Sequence, residues 1–319
     1  MLRYGRYLHI IVFIILVGLA YNSEYNPFLV NDGLKLAKHT VEVTKKETVL
    51  KQEIIEKSRQ YNVDPQDAYI DRVWKKTPGR NGLKVNIEES YEKMKKEGTF
   101  NEELLVFDEV SPKVSLNDLP AAPIYRGNPE KHMVAFLINV SWGTEHIPDL
   151  LNILKEQKIR ATFFIEGKWA KENPDVVKMI EEQGHLIGNH AYNHPNMARM
   201  TKQEAIDQIE RTNQIIKALI EKTPKWFAPP SGSFNDEVVE GAHELTMETI
   251  LWSVDTIDWK NPSVNVMMNR VMTNIHPGAT VLMHPTSSTI QGLPLMIKEI
   301  RNEGYKIGTV EQLLSEDRD

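Results

Sequence analysis

With 319 residues, 41% hydrophobic and 26% charged, the chain can bury one large core with a smaller unit beside it, which excludes a disordered or fibrous protein. A net charge of −6 excludes the basic footprint of a nucleic-acid binder, so no nucleic-acid partner is expected. The absence of cysteine excludes disulfides and thiolate metal sites, so any metal must be held by His, Asp or Glu.

In chain order, Arg3 and Arg6 precede an apolar stretch from about Ile10 to Ala20, with the small residues Gly18 and Ala20 at its end. Residues 1–23 therefore read either as a secretory signal cleaved after Ala20 or as a short retained membrane anchor. The apolar stretch is short for a full span of about 20 residues. Either reading puts the remainder outside the cytoplasm, secreted or anchored on the outer face of the cytoplasmic membrane. Residues 24–128 read as a small accessory region ending in a linker. Within it, Val43–Gln60 is a charged helical stretch, Pro78-Gly79 a break, Asn81-Gly82 a turn, and Val85–Gly98 a strand running into a helix. Four prolines between Ser111 and Pro129 mark the linker.

From residue 129 to 319 the pattern changes. Strand-like runs at Met133–Val140, Ala161–Glu166, His185–Asn189, Lys225–Pro229, Thr249–Val254, Thr280–His284 and Tyr305–Thr309 alternate with helical runs. Pro174 sits where a first helical turn tolerates it, and Gly184 and Gly304 follow helix ends. Thr201 with Glu204 makes a capping box that opens a long helix to about Lys222. Strands separated by crossover helices predict an α/β domain with a parallel sheet, open or closed.

The reactive residue types fall at the C-terminal ends of these strands, the face on which β/α barrels assemble their sites. Asn139 ends the first strand. His190 and His194 follow the third, Pro229-Pro230-Ser231 the fourth, Asp255, Asp258 and Trp259 the fifth, and His284 ends the sixth. The spacing of His190 and His194 suits two imidazoles on one metal. Each member alone has a bland reading: packing histidines, a core Trp, a rigid Pro-Pro turn. Their order and common face make the set far more specific.

Over about Lys131–Leu314 the chain resembles the polysaccharide deacetylases of the NodB-homology type, carbohydrate esterase family 4, in the subgroup from spore-forming bacilli. The matching stretches are Val134–Gly143, Ala161–Gly167, Gly184–His194, Ala228–Gly232, Trp252–Trp259 and Val281–His284. The resemblance implies a distorted (β/α) barrel. It also implies a divalent metal, usually zinc, that polarises an N-acetyl carbonyl and activates water on a cell-wall glycan such as peptidoglycan or a chitin-like polymer. By that resemblance His190 and His194 match the metal histidines, His284 the general acid, and Asp258 the carboxylate that orients it. Trp259 matches the wall of the acetyl pocket, which Pro230 and Ser231 also border.

Four positions depart from the family. Asn139 stands where the base Asp belongs, Val140 where the metal Asp belongs, Ala228 where an Arg would hold the base, and Ser231 where a Tyr belongs. An amide orients water but accepts no proton. Losing a positioned base costs about a hundredfold to ten-thousandfold. An Arg facing no carboxylate would be a buried unpaired charge, so the Asn139 and Ala228 changes are physically coupled. The expectation is a metal-dependent N-deacetylase with low or lost activity that binds zinc weakly, or else a non-catalytic glycan-binding or structural envelope protein. Ser141, Glu145 and His146 are the nearest candidate replacement ligands, read as loop and helix start.

Overall fold

The computed structural model describes residues 5–21 and 48–318, and they divide into two compact units. Residues 22 and 23 of the leader and residues 43–47 of the charged helical stretch lie outside the described residues.

The smaller unit contains α1 (Gly5–Tyr21), α2 (48–58) and α3 (Ile87–Met94). Side chains on every side of α1 are exposed and apolar, yet no described helix is long and apolar enough to cross a membrane. Asn86 caps α3, its side chain accepting the Glu89 N–H at 3.0 Å, and Glu88 and Glu89 complement the helix dipole there. Leu50, Ile54, Val85, Tyr91, Met94 and Leu105 make this unit's core.

The larger unit, residues 63–83 and 109–319, begins with a short antiparallel pair, β1 (Tyr69–Asp71) and β2 (Lys75–Thr77). The chain passes between the units in β3 (Gly82–Val85) and β4 (Phe107–Val110). The expected turn at Asn81-Gly82 is instead the entry to β3. Gly82 is needed there for close approach, because a Cβ would stand 2.5 Å from the Val63 carbonyl oxygen.

The main sheet has eight strands: β5 (Met133–Val140), β6 (Thr162–Ile165), β7 (Leu186–Asn189), β8 (Trp226–Phe227), β9 (Glu248–Thr249), β10 (Val254–Asp255), β11 (Thr280–Met283) and β12 (Lys306–Gly308). Its order is β10-β11-β5-β6-β7-β8-β9, with β12 also pairing the first half of β5, and the strands of these pairs run parallel. All residues of β5 are buried, as a strand covered on both faces requires. Its alternate residues split the core. Val134, Phe136, Ile138 and Val140 face the helices, while Met133, Ala135 and Leu137 face the barrel interior with Phe164 and Ile250.

The crossover helices are α4 (Ile147–Glu156), α5 (Gly167–Glu172), α6 (Pro174–Glu182), α7 (Lys202–Ile220), α8 (Asp236–Glu244), α9 (Val264–Asn274), α10 (Ser287–Asn302) and α11 (Val310–Leu314). The Thr201–Glu204 capping box opens α7, and Gly184 and Gly304 adopt positive φ after α6 and α10. This is the expected distorted (β/α) barrel.

The run Thr249–Val254, expected as one strand, is two. It ends β9 at Thr249, crosses the open side of the barrel, and starts β10 at Val254. Along the crossing, Ile124 bridges parallel to Ile250, and the Leu251 N–H donates to the Ile124 carbonyl at 2.8 Å. The chain from the proline-rich stretch thus takes the backbone bonds that a longer strand would have used. At the N-terminal end of the sheet, His185 Nδ1 accepts the Ala161 N–H at 3.1 Å. Burial, with Arg160 adding to it, pushes the His185 pKa down to about 4.

Candidate functional site

A cavity of about 450 Å³ opens at the C-terminal ends of the sheet strands. Asn139, Trp142, His190, His194, Ser231, Trp252, Asp255, Trp259, Leu282 and His284 line it. Of the residues singled out from the sequence, Asp258 is buried behind His284, and Pro230 is buried in the turn that presents Ser231. Ser231 itself has a φ of 55°. Sequence reasoning placed Trp142 and Trp252 in matching stretches, Val134–Gly143 and Trp252–Trp259, but gave neither a role in the site. A large aromatic immediately beyond a buried strand was the available signal for Trp142.

The wall around His284 is densely bonded. Asp258 is fully buried, and its carboxylate accepts the His284 Nδ1–H at 3.0 Å and the His284 backbone N–H at 2.8 Å. The hydroxyls of Thr256, Thr286 and Thr289 lie 2.9, 3.0 and 2.8 Å from its oxygens. Burial alone would raise this carboxyl, but the bonds from His284 and Thr289 outweigh it and hold the pKa below the usual value. With Nδ1 committed to a carboxylate, Nε2 of His284 is the nitrogen left for a ligand in the cavity. An imidazolium there would be stabilised by Asp258, the arrangement a proton donor needs.

Trp142 lies nearly parallel to the His284 ring, 10° between planes and 5.9 Å between centroids. The next residue makes this possible. Gly143 has a φ of 78°, and a Cβ there would collide with the Pro285 carbonyl. The loop after β5 therefore packs directly onto the loop after β11. Trp259, half exposed beside Lys260, stands at the rim.

The opposite wall is sparse. Asn139 is 4% exposed and its Oδ1 has no hydrogen-bond partner. Val140 points into the helix-facing core, and Ala228 is buried among apolar interior residues. Ala228 does supply one polar contact, because its carbonyl lies 2.7 Å from His190 Nδ1. That bond puts the proton on Nδ1 and frees the Nε2 lone pair. Burial, with His194 adding to it, pushes His190 down to about 3, so its ring is neutral near pH 7. His194, exposed and at a φ of 56°, meets His190 edge-on with centroids 5.3 Å apart. Asp255 lines the cavity, and burial raises its pKa. Glu145 and His146 lie on a one-turn segment, 3.8 Å from one another, and neither lines the cavity.

His190 and His194 offer two imidazole corners for a divalent cation, and the Asp255 carboxylate lines the same cavity without joining them in a metal-holding group. Among the described residues no three His, Asp or Glu side chains stand in a geometry that could hold a metal ion. The zinc site implied by the family is therefore only partly furnished, and no chemical step is derived through a metal.

The family model described as polysaccharide deacetylase matches residues 126–250. A peptidoglycan-N-acetylglucosamine deacetylase of Bacillus cereus is 33% identical over 194 residues, covering 59% of this chain and 70% of the relative. The chain belongs to the polysaccharide deacetylase family. The uncharacterised protein YlxY of Bacillus subtilis is 46% identical over 315 residues, 99% of each chain. Among solved structures, a wild-type pseudoenzyme of carbohydrate esterase family 4 from Bacillus anthracis is 51% identical, with a TM-score of 0.79 over 85% of this chain and 96% of that one. A mutant of that pseudoenzyme, described as having restored enzymatic activity, matches with the same TM-score of 0.79 at 50% identity.

Proposed function

We propose that this deacetylase-family chain binds N-acetylated cell-wall glycan outside the cytoplasm and turns it over slowly or not at all. The observation that carries the reading is the unequal furnishing of one cavity. His284, Asp258 and the tryptophans form a complete acid and sugar-facing wall, whereas Asn139 presents an unpartnered amide where a base is needed. In this reading His284 is the acid, Asp258 its positioning carboxylate, and Trp259, Pro230 and Ser231 the acetyl-pocket side. His190 and His194 hold any zinc only weakly. The named activities of the Bacillus cereus relative and the pseudoenzyme state of the Bacillus anthracis neighbour support substrate class and impairment respectively. Residues 129–319 carry the function. The apolar segment within residues 1–23 directs export, either as a cleaved leader or as a retained attachment to the membrane surface, and residues 24–62 and 84–108 form the spacer.

The test is acetate release and binding by the full chain on peptidoglycan and chitooligosaccharides, with zinc present. Glycan affinity without acetate release is expected. Turnover equal to that of the Bacillus cereus deacetylase would sink the reading, and the absence of any glycan affinity would favour a structural envelope protein instead.

A further inference from the structure

The charge of the cavity is out of balance. Its lining holds one carboxylate, Asp255, and no Lys or Arg. The carboxylate of Asp258, behind the lining, is balanced whenever His284, bonded to it through Nδ1, is protonated. His190 is neutral near pH 7, and His194 is exposed. Lys260 lies against Trp259, its Nζ 4.8 Å from the ring centroid, and stays outside the lining. Arg270 donates to the Thr256 carbonyl at 2.6 Å, and among the described residues no Lys or Arg closes an ion pair on Asp255. The Ile257 N–H, 2.8 Å from Oδ1, is the one hydrogen bond that Asp255 accepts among them. A half-buried carboxylate without a counter-ion is unfavourable, and burial raises its pKa accordingly. The missing cation can come with the ligand.

The sheet register places a second acceptor nearby. Asp255 lies opposite Leu282, and Leu282 opposite Leu137. Leu137 faces the barrel interior, and alternation puts Asn139 on the same face, two residues nearer the strand end. Asn139 lines the cavity, is 4% exposed, and its Oδ1 has no hydrogen-bond partner. Both residues have acceptor capacity to spare, and one of them also carries an uncompensated charge. An ammonium brings three N–H donors, a positive charge and no acceptor. An N-acetyl group brings one N–H and a carbonyl oxygen, and that oxygen would share the cavity with a carboxylate and no Lys or Arg.

We propose that the cavity seats a sugar with a free 2-amino group, its ammonium paired with Asp255 and bonded to Asn139, so that the chain reads de-N-acetylated residues within cell-wall glycan. The inference rests on the reading that this cavity holds such glycan, and it names the residue held at the centre. Flanking sugars keep their acetyl groups and have Trp142 and Trp259 to stack on, which stand 47% and 50% exposed. A free 2-amino sugar is the product of N-deacetylation, so the reaction that supplies this ligand is of the class for which the Bacillus cereus relative is named. Asp255 is then the residue that sets specificity.

The full chain is titrated by calorimetry with chitotetraose and with the fully de-N-acetylated tetramer, at a slightly acidic pH that keeps the amines protonated. The de-N-acetylated tetramer is expected to bind about tenfold more tightly. Asp255→Asn, nearly isosteric and still an acceptor for the Ile257 N–H, is expected to remove most of that preference while matching the parent's far-UV circular dichroism. Should it fail to fold, Asn139→Leu removes the other acceptor and is expected to narrow the preference. A preference undiminished in the variant that folds would report only the attraction of a chain of net charge −6 for any cation, and would overturn the proposal. Equal or tighter binding of chitotetraose by the parent would overturn it too, with the glycan reading left standing. No affinity for either tetramer would remove the glycan reading itself, and the inference with it.

Discussion

The two walls of the cavity face the same solvent and are built by the same sheet, yet they are maintained unequally. Around His284, one buried carboxylate has five donors within 3.0 Å, contributed by Thr256, Thr286, Thr289 and His284. Around His190, among the described residues, one backbone carbonyl bonds the ring, and the neighbouring Asn139 oxygen has no partner. The acid wall belongs to the fold's own bonding, since Asp258 ties β11's end to α10's first turn through Thr286 and Thr289. The other wall holds no charge at Asn139 or Ala228, and an amide and a methyl group there leave no orphan charge, so the barrel does not depend on that wall's bonding.

The largest effect expected from this contrast is repair of the poor wall. Asn139→Asp with Val140→Asp and Ala228→Arg should raise acetate release by about a hundredfold to ten-thousandfold, with Asn139→Asp alone giving less. Assay on chitooligosaccharides checks it, and no gain in the triple variant would mean that the groove has been remodelled beyond these positions. The reverse experiment tests the rich wall. Asp258→Ala should cost roughly 3 kcal/mol or more in urea unfolding, since several buried donors lose their acceptor together. Asn139→Ala should cost less than about 1 kcal/mol, having no bond to lose. Equal costs at the two positions would erase the comparison.

A third prediction uses the far end of the barrel as a control. His185 titrates near 4 in the folded chain, against an ordinary value of 6.5. The unfolded chain takes up its proton first as pH falls. The stability is therefore complete above pH 6.5 and is lost between there and about pH 4, by roughly 2 kcal/mol after allowance for partial hydration. His185→Asn keeps an acceptor for the Ala161 N–H and should flatten that slope in urea melts at several pH values. Asp258, held below the usual carboxylate range, contributes above that range and is lost at still lower pH. Acid should thus weaken the barrel floor before the acid wall. The smallest expected effect is on Trp142. Trp142→Ala removes one stacked pair worth about 0.5–1.5 kcal/mol, lowering glycan affinity severalfold by calorimetry.

Much of this was legible in the chain. Burial on both faces made β5, β6 and β11 nearly continuous apolar runs, and capping chemistry marked α7. The site residues share a face because strand ends in a parallel sheet all point one way. What sequence could not give was the partner of each strand. Thr249–Val254 has a strand's composition, yet its backbone groups bond to Ile124, far away in sequence, so it breaks in two. The burial of Glu166, at the end of the run Ala161–Glu166, is hidden for a related reason: it follows only from the register of Ile165 against Val140 and Asn189.

Gly143 carries a wider consequence. Because it lacks a side chain, the segment bearing Trp142 rests on the segment bearing His284, and the indole screens the imidazole from above. Trp142 and His284 therefore come together only because position 143 lacks a methyl group, and an alanine there would push the Trp142 segment off Pro285 before it touched anything in the cavity.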